Sequence, residues 1–190
     1  MGYDSKITGI KYMNEVIKCL QDRRSIRKFS DIPIKKDTLE EIIKCGIAAP
    51  NGKNKQTWKY TVLSGKSQID YLEEKILEVL DITKTDSLCG FGNPVAVIIV
   101  TDRKNNYNAM ANGSCAIANM LNAAWSLHIG GCWINALRTI QDEPLIREML
   151  GQFEIPGNHM VVGMIVLGHL QEDDLPQKPR RRTDVVHFVE

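Results

Sequence analysis

Positions 108–127 carry a stretch too apolar for a helix in water. Ala109, Gly113, Ala116, Ile117, Met120, Leu121, Ala124 and Trp125 recur at helical spacing on two sides of the same segment. A helix covered on two sides belongs in a core or at a subunit interface, and Gly130 and Gly131 read as the signal that closes it. Two further runs, 95–100 and 160–167, are apolar without alternation, as strands buried on both faces must be. The chain must therefore wrap a central sheet and a central helix in other elements. An α+β fold in one domain spanning residues 1–190 meets that requirement, and 190 residues suffice to bury such a core without staples.

The flanking elements follow from periodicity. Ile10, Met13, Ile17 and Leu20 predict a first helix over 10–22. Asp37 and Glu40 resemble a capping box for a second, with Leu39, Ile42, Ile43 and Ile47 on its apolar face and Pro50 beyond its end. Positions 58–63 read as a strand, 67–80 as a helix, 132–134 as a short strand and 142–150 as a capped helix before Gly151. The segment 184–189 reads as an edge or exchanged strand, and 81–93 as a polar connection.

Composition narrows the function classes. With 24 basic and 23 acidic side chains the net charge is +1, which argues against a polyanion partner such as nucleic acid. The five cysteines (Cys19, Cys45, Cys89, Cys115 and Cys132) are scattered and without zinc-like spacing, so a reducing, cytoplasmic compartment is the simpler reading. No secretory signal or membrane-length apolar run is evident, and Lys6 at the sixth position weakens a myristoylation motif. The four histidines are separated and lack companion carboxylates, so no metal site is expected. Gly90-Phe91-Gly92-Asn93 lacks the third glycine and the context of a dinucleotide fingerprint.

Charge is concentrated where it could act. Arg23-Arg24-Ser25-Ile26-Arg27-Lys28-Phe29 places four cations and a hydroxyl within six residues, and Lys178-Pro179-Arg180-Arg181-Arg182 lies more than 150 positions later. Either cluster alone can be a solvated face. Together they can form a pocket for a phosphate, which arginine forks bind bidentately. The polar loop Asn51-Gly52-Lys53-Asn54-Lys55-Gln56 adds amides that donate and accept, as recognition of a heterocycle requires, although the same residues also make an ordinary turn. Trp58 reads as core, and Cys132 as a small buried hydrophobe.

In this order, RRSIRKF, AAPNGKNKQTWKY, the apolar helix running into GGCWI, and KPRRR resemble the FMN-dependent nitroreductase family from about Val16 to Phe188. The resemblance implies a mixed or antiparallel central sheet flanked by helices in an intertwined homodimer. It implies FMN as cofactor, NADH or NADPH as transient hydride donor, and a nitroaromatic, quinone or similar flat acceptor. Arg23, Lys178 and Arg180 match the family's phosphate-holding cations. Arg24, Ser25 and Arg27 match side chains along the ribityl chain and pyrimidine edge, and Lys28 is read as facing water. Asn51, Asn54 and Gln56 match loop positions that reach the flavin from the partner subunit. Ile134, Asn135 and Ala136 match the segment passing the reactive face, where many relatives carry Glu-Gly instead.

The resemblance assigns no catalytic side chain, since the flavin carries the chemistry. Without a separate Rossmann unit, donor and acceptor would alternate at one open cleft. Two rivals remain at this level: a protein of the same fold with another redox role (flavin-consuming, dehalogenase-like or enoate reductase-like), and a polyanion binder using residues 178–182. The short region 64–94 also implies an open or differently covered cleft.

Overall fold

A computed structural model describes residues 14–83, 91–171 and 175–189. The expected helix start at Ile10 and Met13, together with Cys89 and Gly90, lies outside the described residues. The elements are α1 (Glu15–Asp22), α2 (Lys36–Ile47), β1 (Lys59–Leu63), α3 (Lys66–Leu80), β2 (Ala96–Arg103), α4 (Ala109–Ser126), β3 (Ile129–Ile134), α5 (Ala136–Thr139), α6 (Pro144–Gln152) and β4 (His159–His169). The four strands form one sheet in the order β1-β2-β4-β3, with every pairing antiparallel.

The two central strands are buried on both faces, as their lack of alternation predicts. Val97 and Ile99 of β2 join Met164 and Val166 of β4 in a core capped by α3 and α6. Ala96, Ile98 and Val100 point the other way and meet Ile165, Leu167, α2 and α4. The pleat thus divides one apolar run between two cores. A register shift between Val100 and Thr101 breaks the ladder before β2 ends.

The long apolar helix covers its own sheet first. Ala109, Gly113, Ala116, Ile117, Met120, Leu121 and Ala124 are buried within the chain, whereas Ala111, Cys115 and Ala118 form an exposed strip of small residues. Its end differs from expectation. The helix stops at Ser126, and His128, at φ 57°, makes the left-handed turn. Gly130 and Gly131 lie inside β3, where their missing side chains serve packing instead.

Other boundaries differ as well. Asp37 is not an N-cap: α2 begins one residue earlier, at Lys36, after Lys35, which makes no side-chain capping bond. Asp142 does not cap α6, which starts at Pro144; it pairs with Arg147 instead. Proline at the first helical turn loses no hydrogen bond there, so no capping side chain is needed to start the helix. Among the described residues the segment 184–189 pairs with no strand and is exposed throughout, which removes the reading of it as an edge strand within its own chain.

Candidate functional site

The strand β3 forms one edge of the sheet, and the basic segment meets its free side at Ile26 before crossing to β4 at Phe29 and Ser30. The Ile26 amide donates to the Gly131 carbonyl at 3.0 Å, and Ser30 forms an isolated bridge with His169. Ile26 and Phe29 are buried, which fixes the segment, while Ser25 and Arg27 between and beside them are exposed. This alternation of buried anchors and exposed side chains lets four cations sit together without collapsing onto the surface. Close approach depends on missing side chains in the strands beneath. A Cβ at Gly130 would fall 2.8 Å from Ile26 Cγ2, and one at Gly168 would fall 2.5 Å from Phe29 Cβ.

The C-terminal segment comes to the same place. Arg24 Nη1 donates to the Pro176 carbonyl at 2.7 Å, and Lys178 Nζ reaches Asp22 Oδ1 at 3.0 Å. Arg24 also lies 5.6 Å from the centroid of the Trp125 ring, near the end of α4. Its Nε is buried with no hydrogen-bond partner, an unmet donor in a site made of donors. Lys18 and Lys178 hydrogen-bond to the Asp22 carboxyl and hold it below its ordinary value. Arg23 is the C-cap residue of α1, next to that pair. Arg180 is exposed in the same segment.

Cys132 lies beneath the cluster. It is 1% exposed, and burial pushes its thiol up, opposed by Arg27, the Ser25 hydroxyl and Arg23. A buried, protonated thiol is a poor nucleophile, in keeping with a packing role. Further along the same edge, Ile134 is buried, Asn135 is exposed and Ala136 opens α5, a single turn too short to leave a periodic signal in the sequence. From Gly131 to Ile134 the strand advances about 10 Å at its usual rise. The basic cluster and the 134–136 segment therefore line one continuous edge.

The amide loop is elsewhere in the chain. Asn51 Oδ1 accepts from the Gln56 amide at 3.0 Å, and Asn54 Oδ1 accepts from Gln56 Nε2 at 2.9 Å. Lys53, Asn54 and Gln56 all have φ near +50°, a left-handed conformation that costs non-glycine residues about 1 kcal/mol or more each. The loop docks on the first turns of α4, where the Gly52 amide donates to Asn112 Oδ1 at 2.9 Å. Trp125, beside the basic cluster, follows Asn112 by thirteen residues, about 20 Å along the helix. One chain therefore holds Asn51, Asn54 and Gln56 at one end of α4 and Arg24 at the other.

Sequence reasoning missed Asp22, Trp125 and Asn112. Asn112 left little signal, a single amide on a helix face otherwise mostly small and apolar. A cavity of about 600 Å³ is lined by residues including Asp31, Lys66, Asp70, Glu73 and Gly92, and it adjoins the basic segment where Gly92 packs against the Arg27 carbonyl. It includes none of the expected site residues. Among the described residues no cluster suited to a metal ion occurs, and no helix is long and apolar enough to cross a membrane.

Residues 20–169 match the family described as the nitroreductase family. The chain belongs to the nitroreductase family. A curated relative, the FMN reductase [NAD(P)H] of Bacillus subtilis, is 26% identical over 193 residues, covering 94% of this chain and 74% of its own. Among solved structures, a Bacteroides fragilis nitroreductase with bound FMN is 30% identical and superposes with a TM-score of 0.86, over 94% of this chain and 100% of its own. A Desulfitobacterium hafniense nitroreductase with bound FMN is 22% identical with a TM-score of 0.83, over 94% of this chain and 100% of its own, and shows the fold alone. The α+β nitroreductase fold is thus that of this chain, with the sheet fully antiparallel.

Proposed function

We propose that this nitroreductase family member is an FMN-dependent, NAD(P)H-dependent oxidoreductase built as one unit across residues 1–190, working as a homodimer in the cytoplasm on flat acceptors such as nitroaromatics or quinones. The observation that carries the reading is the meeting of the basic segment with residues 176–178 along the free edge of β3. Distant parts of the chain converge there in a surface of hydrogen-bond donors.

The residues present fit FMN. Arg23, Lys178 and Arg180 would hold its phosphate, and the unmet Arg24 Nε is a donor waiting for an oxygen. Arg24, Ser25 and Arg27 would run along the ribityl chain to the pyrimidine edge, where a fixed cation stabilises negative charge. Backbone groups of Ile134, Asn135 and Ala136 would border the reactive face. When bound, FMN supplies the two-electron chemistry, accepting a hydride from NADH or NADPH and giving electrons to the acceptor. The protein's share is to orient the donor, exclude water and place charge.

The roughly 20 Å between Asn112 and Trp125 supports a site shared by two copies. Asn51, Asn54 and Gln56 of one copy would then complete the cluster of the other. The test is direct. Protein purified without denaturation, incubated with FMN and desalted should keep flavin absorbance, and anaerobic mixing with NADH or NADPH should bleach it. Absence of bound flavin overturns the cofactor reading. Bound flavin that neither donor reduces overturns the reductase reading. Reoxidation by nitroaromatic, quinone, haloaromatic and enoate compounds then ranks the acceptor classes.

A further inference from the structure

We propose that Asn112 of α4 is a positioning residue that sets the shape of the loop carrying Asn51, Asn54 and Gln56, and through it the affinity for flavin. The proposal rests on the flavin reading of that loop. Asn112 is 4% exposed and sits among Ala109, Gly113 and Ala116 on the buried face of the helix. A buried amide costs stability unless it is used, so an asparagine here calls for a function.

Its use is visible in the geometry. Asn112 Oδ1 accepts the Gly52 amide at 2.9 Å, which also fixes which way the side-chain amide faces, because only oxygen can accept. Gly52 begins the turn whose next residue, Lys53, is left-handed at φ 55° and ψ 23°. Asn54 and Gln56 follow at φ 51° and 48°. Three left-handed residues in four positions persist only when something outside the loop over-determines its path. The far end is tied as well. Asn106 Nδ2 lies 2.9 Å from Thr57 Oγ1 and 3.0 Å from Asp102 Oδ2, and Asp102 is fully buried. The loop is thus held at both ends by the 102–112 segment, and Asn112 is the hold nearest Asn51 and Asn54.

Asn51 Nδ2 and Asn112 Nδ2 are both buried without an acceptor. The oxygen of each amide is already committed to a backbone N–H, so neither can be satisfied by turning over. This arrangement allows two roles for Asn112, holding Gly52 through Oδ1 or donating through Nδ2. The proposal commits to the first, and an aspartate separates them because it keeps the acceptor and removes the donor.

The experiment uses full-length protein and three substitutions, Asn112→Leu, Asn112→Asp and Asn112→Ser, with FMN affinity measured by fluorescence titration and Gly52 amide exchange measured without flavin. Asn112→Leu should weaken FMN binding tenfold or more and speed Gly52 exchange by a similar factor, while Asn112→Asp restores most of both. If leucine prevents folding, serine, whose hydroxyl is too short to reach Gly52, replaces it with the same expectation. Unchanged Gly52 exchange in the leucine or serine variant overturns the hold, whatever flavin does. Aspartate as impaired as leucine in FMN affinity overturns the Oδ1 role in favour of Nδ2. Wild-type protein that binds no FMN overturns the flavin reading and, with it, the positioning role, while the exchange data report the hold separately.

Discussion

Arg24 shows how one side chain can serve fold and site together. Its plane lies over Trp125, one nitrogen holds the Pro176 carbonyl, and another is buried without a partner. A lysine could supply the charge but not the ring contact, the carbonyl bond and a further donor at once. His159 is the residue whose protonation the fold opposes most plainly. It is 5% exposed, its Nδ1 lies 3.1 Å from Thr101 Oγ1, and burial lowers its pKa below the ordinary 6.5, with Asp102 opposing and Lys59 and Arg103 adding to the effect. Below pH 6.5 the unfolded chain takes up a proton at this position before the folded chain does. Stability from the neutral ring is therefore fully present above that value and is lost as pH falls from it toward the folded pKa. Melting temperature measured from pH 8 to pH 5 should fall across the acidic half of that range. In His159→Asn, which keeps a polar group facing Thr101, the slope should flatten. An identical slope in the variant removes His159 as its source.

At the scale of elements, the basic segment rests on strands that had to lose side chains. Gly168→Ala places a methyl 2.5 Å from Phe29 Cβ and 2.6 Å from its Cγ, atoms too near the backbone to swing aside. Overpacking of this kind costs about 1 to 3 kcal/mol. Gly151 lies within α6, where a methyl group would meet nothing within 4 Å, so Gly151→Ala should stabilise by about 0.5 to 1 kcal/mol through helix propensity. Urea titrations of both variants should move in opposite directions from wild type, and a neutral Gly168→Ala would mean that the segment does not depend on this approach. The same contrast explains what was legible beforehand. Periodicity exposes which residues are apolar, so β2, β4, α3 and α4 were readable within a few residues. It does not say what a glycine is for: Gly130 and Gly131 look like a helix stop, and Gly130 is instead a floor for Ile26. The meeting of the 22–28 segment with residues 176–178 could be anticipated from sequence because charge clusters are conspicuous and their order matched a family. Asn112 could not, because one amide in an apolar stripe barely alters the pattern, and its partner at Gly52 is a backbone group that carries no sequence signal.

For the whole molecule, the segment 184–189 argues for a second copy. Val185, Val186, Phe188 and Val189 are 65%, 58%, 74% and 87% exposed, a concentration of apolar side chains that a lone soluble chain rarely presents. The sheet also ends at β1, which pairs with β2 on one side only, leaving a row of backbone groups open on the other. An extended apolar segment and an open strand edge are complementary, and addition of one to the other satisfies both. Within one chain they do not meet. Exchange between two copies would bury the segment and extend the sheet at β1. Removal of residues 184–190 should therefore shift sedimentation equilibrium from dimer toward monomer and weaken FMN binding, while far-ultraviolet circular dichroism stays near that of the full chain. A truncated protein that remains dimeric with unchanged flavin affinity would leave the tail outside the interface. In that case the exposed strip of Ala111, Cys115 and Ala118 on α4 is the next surface to test as a contact between copies.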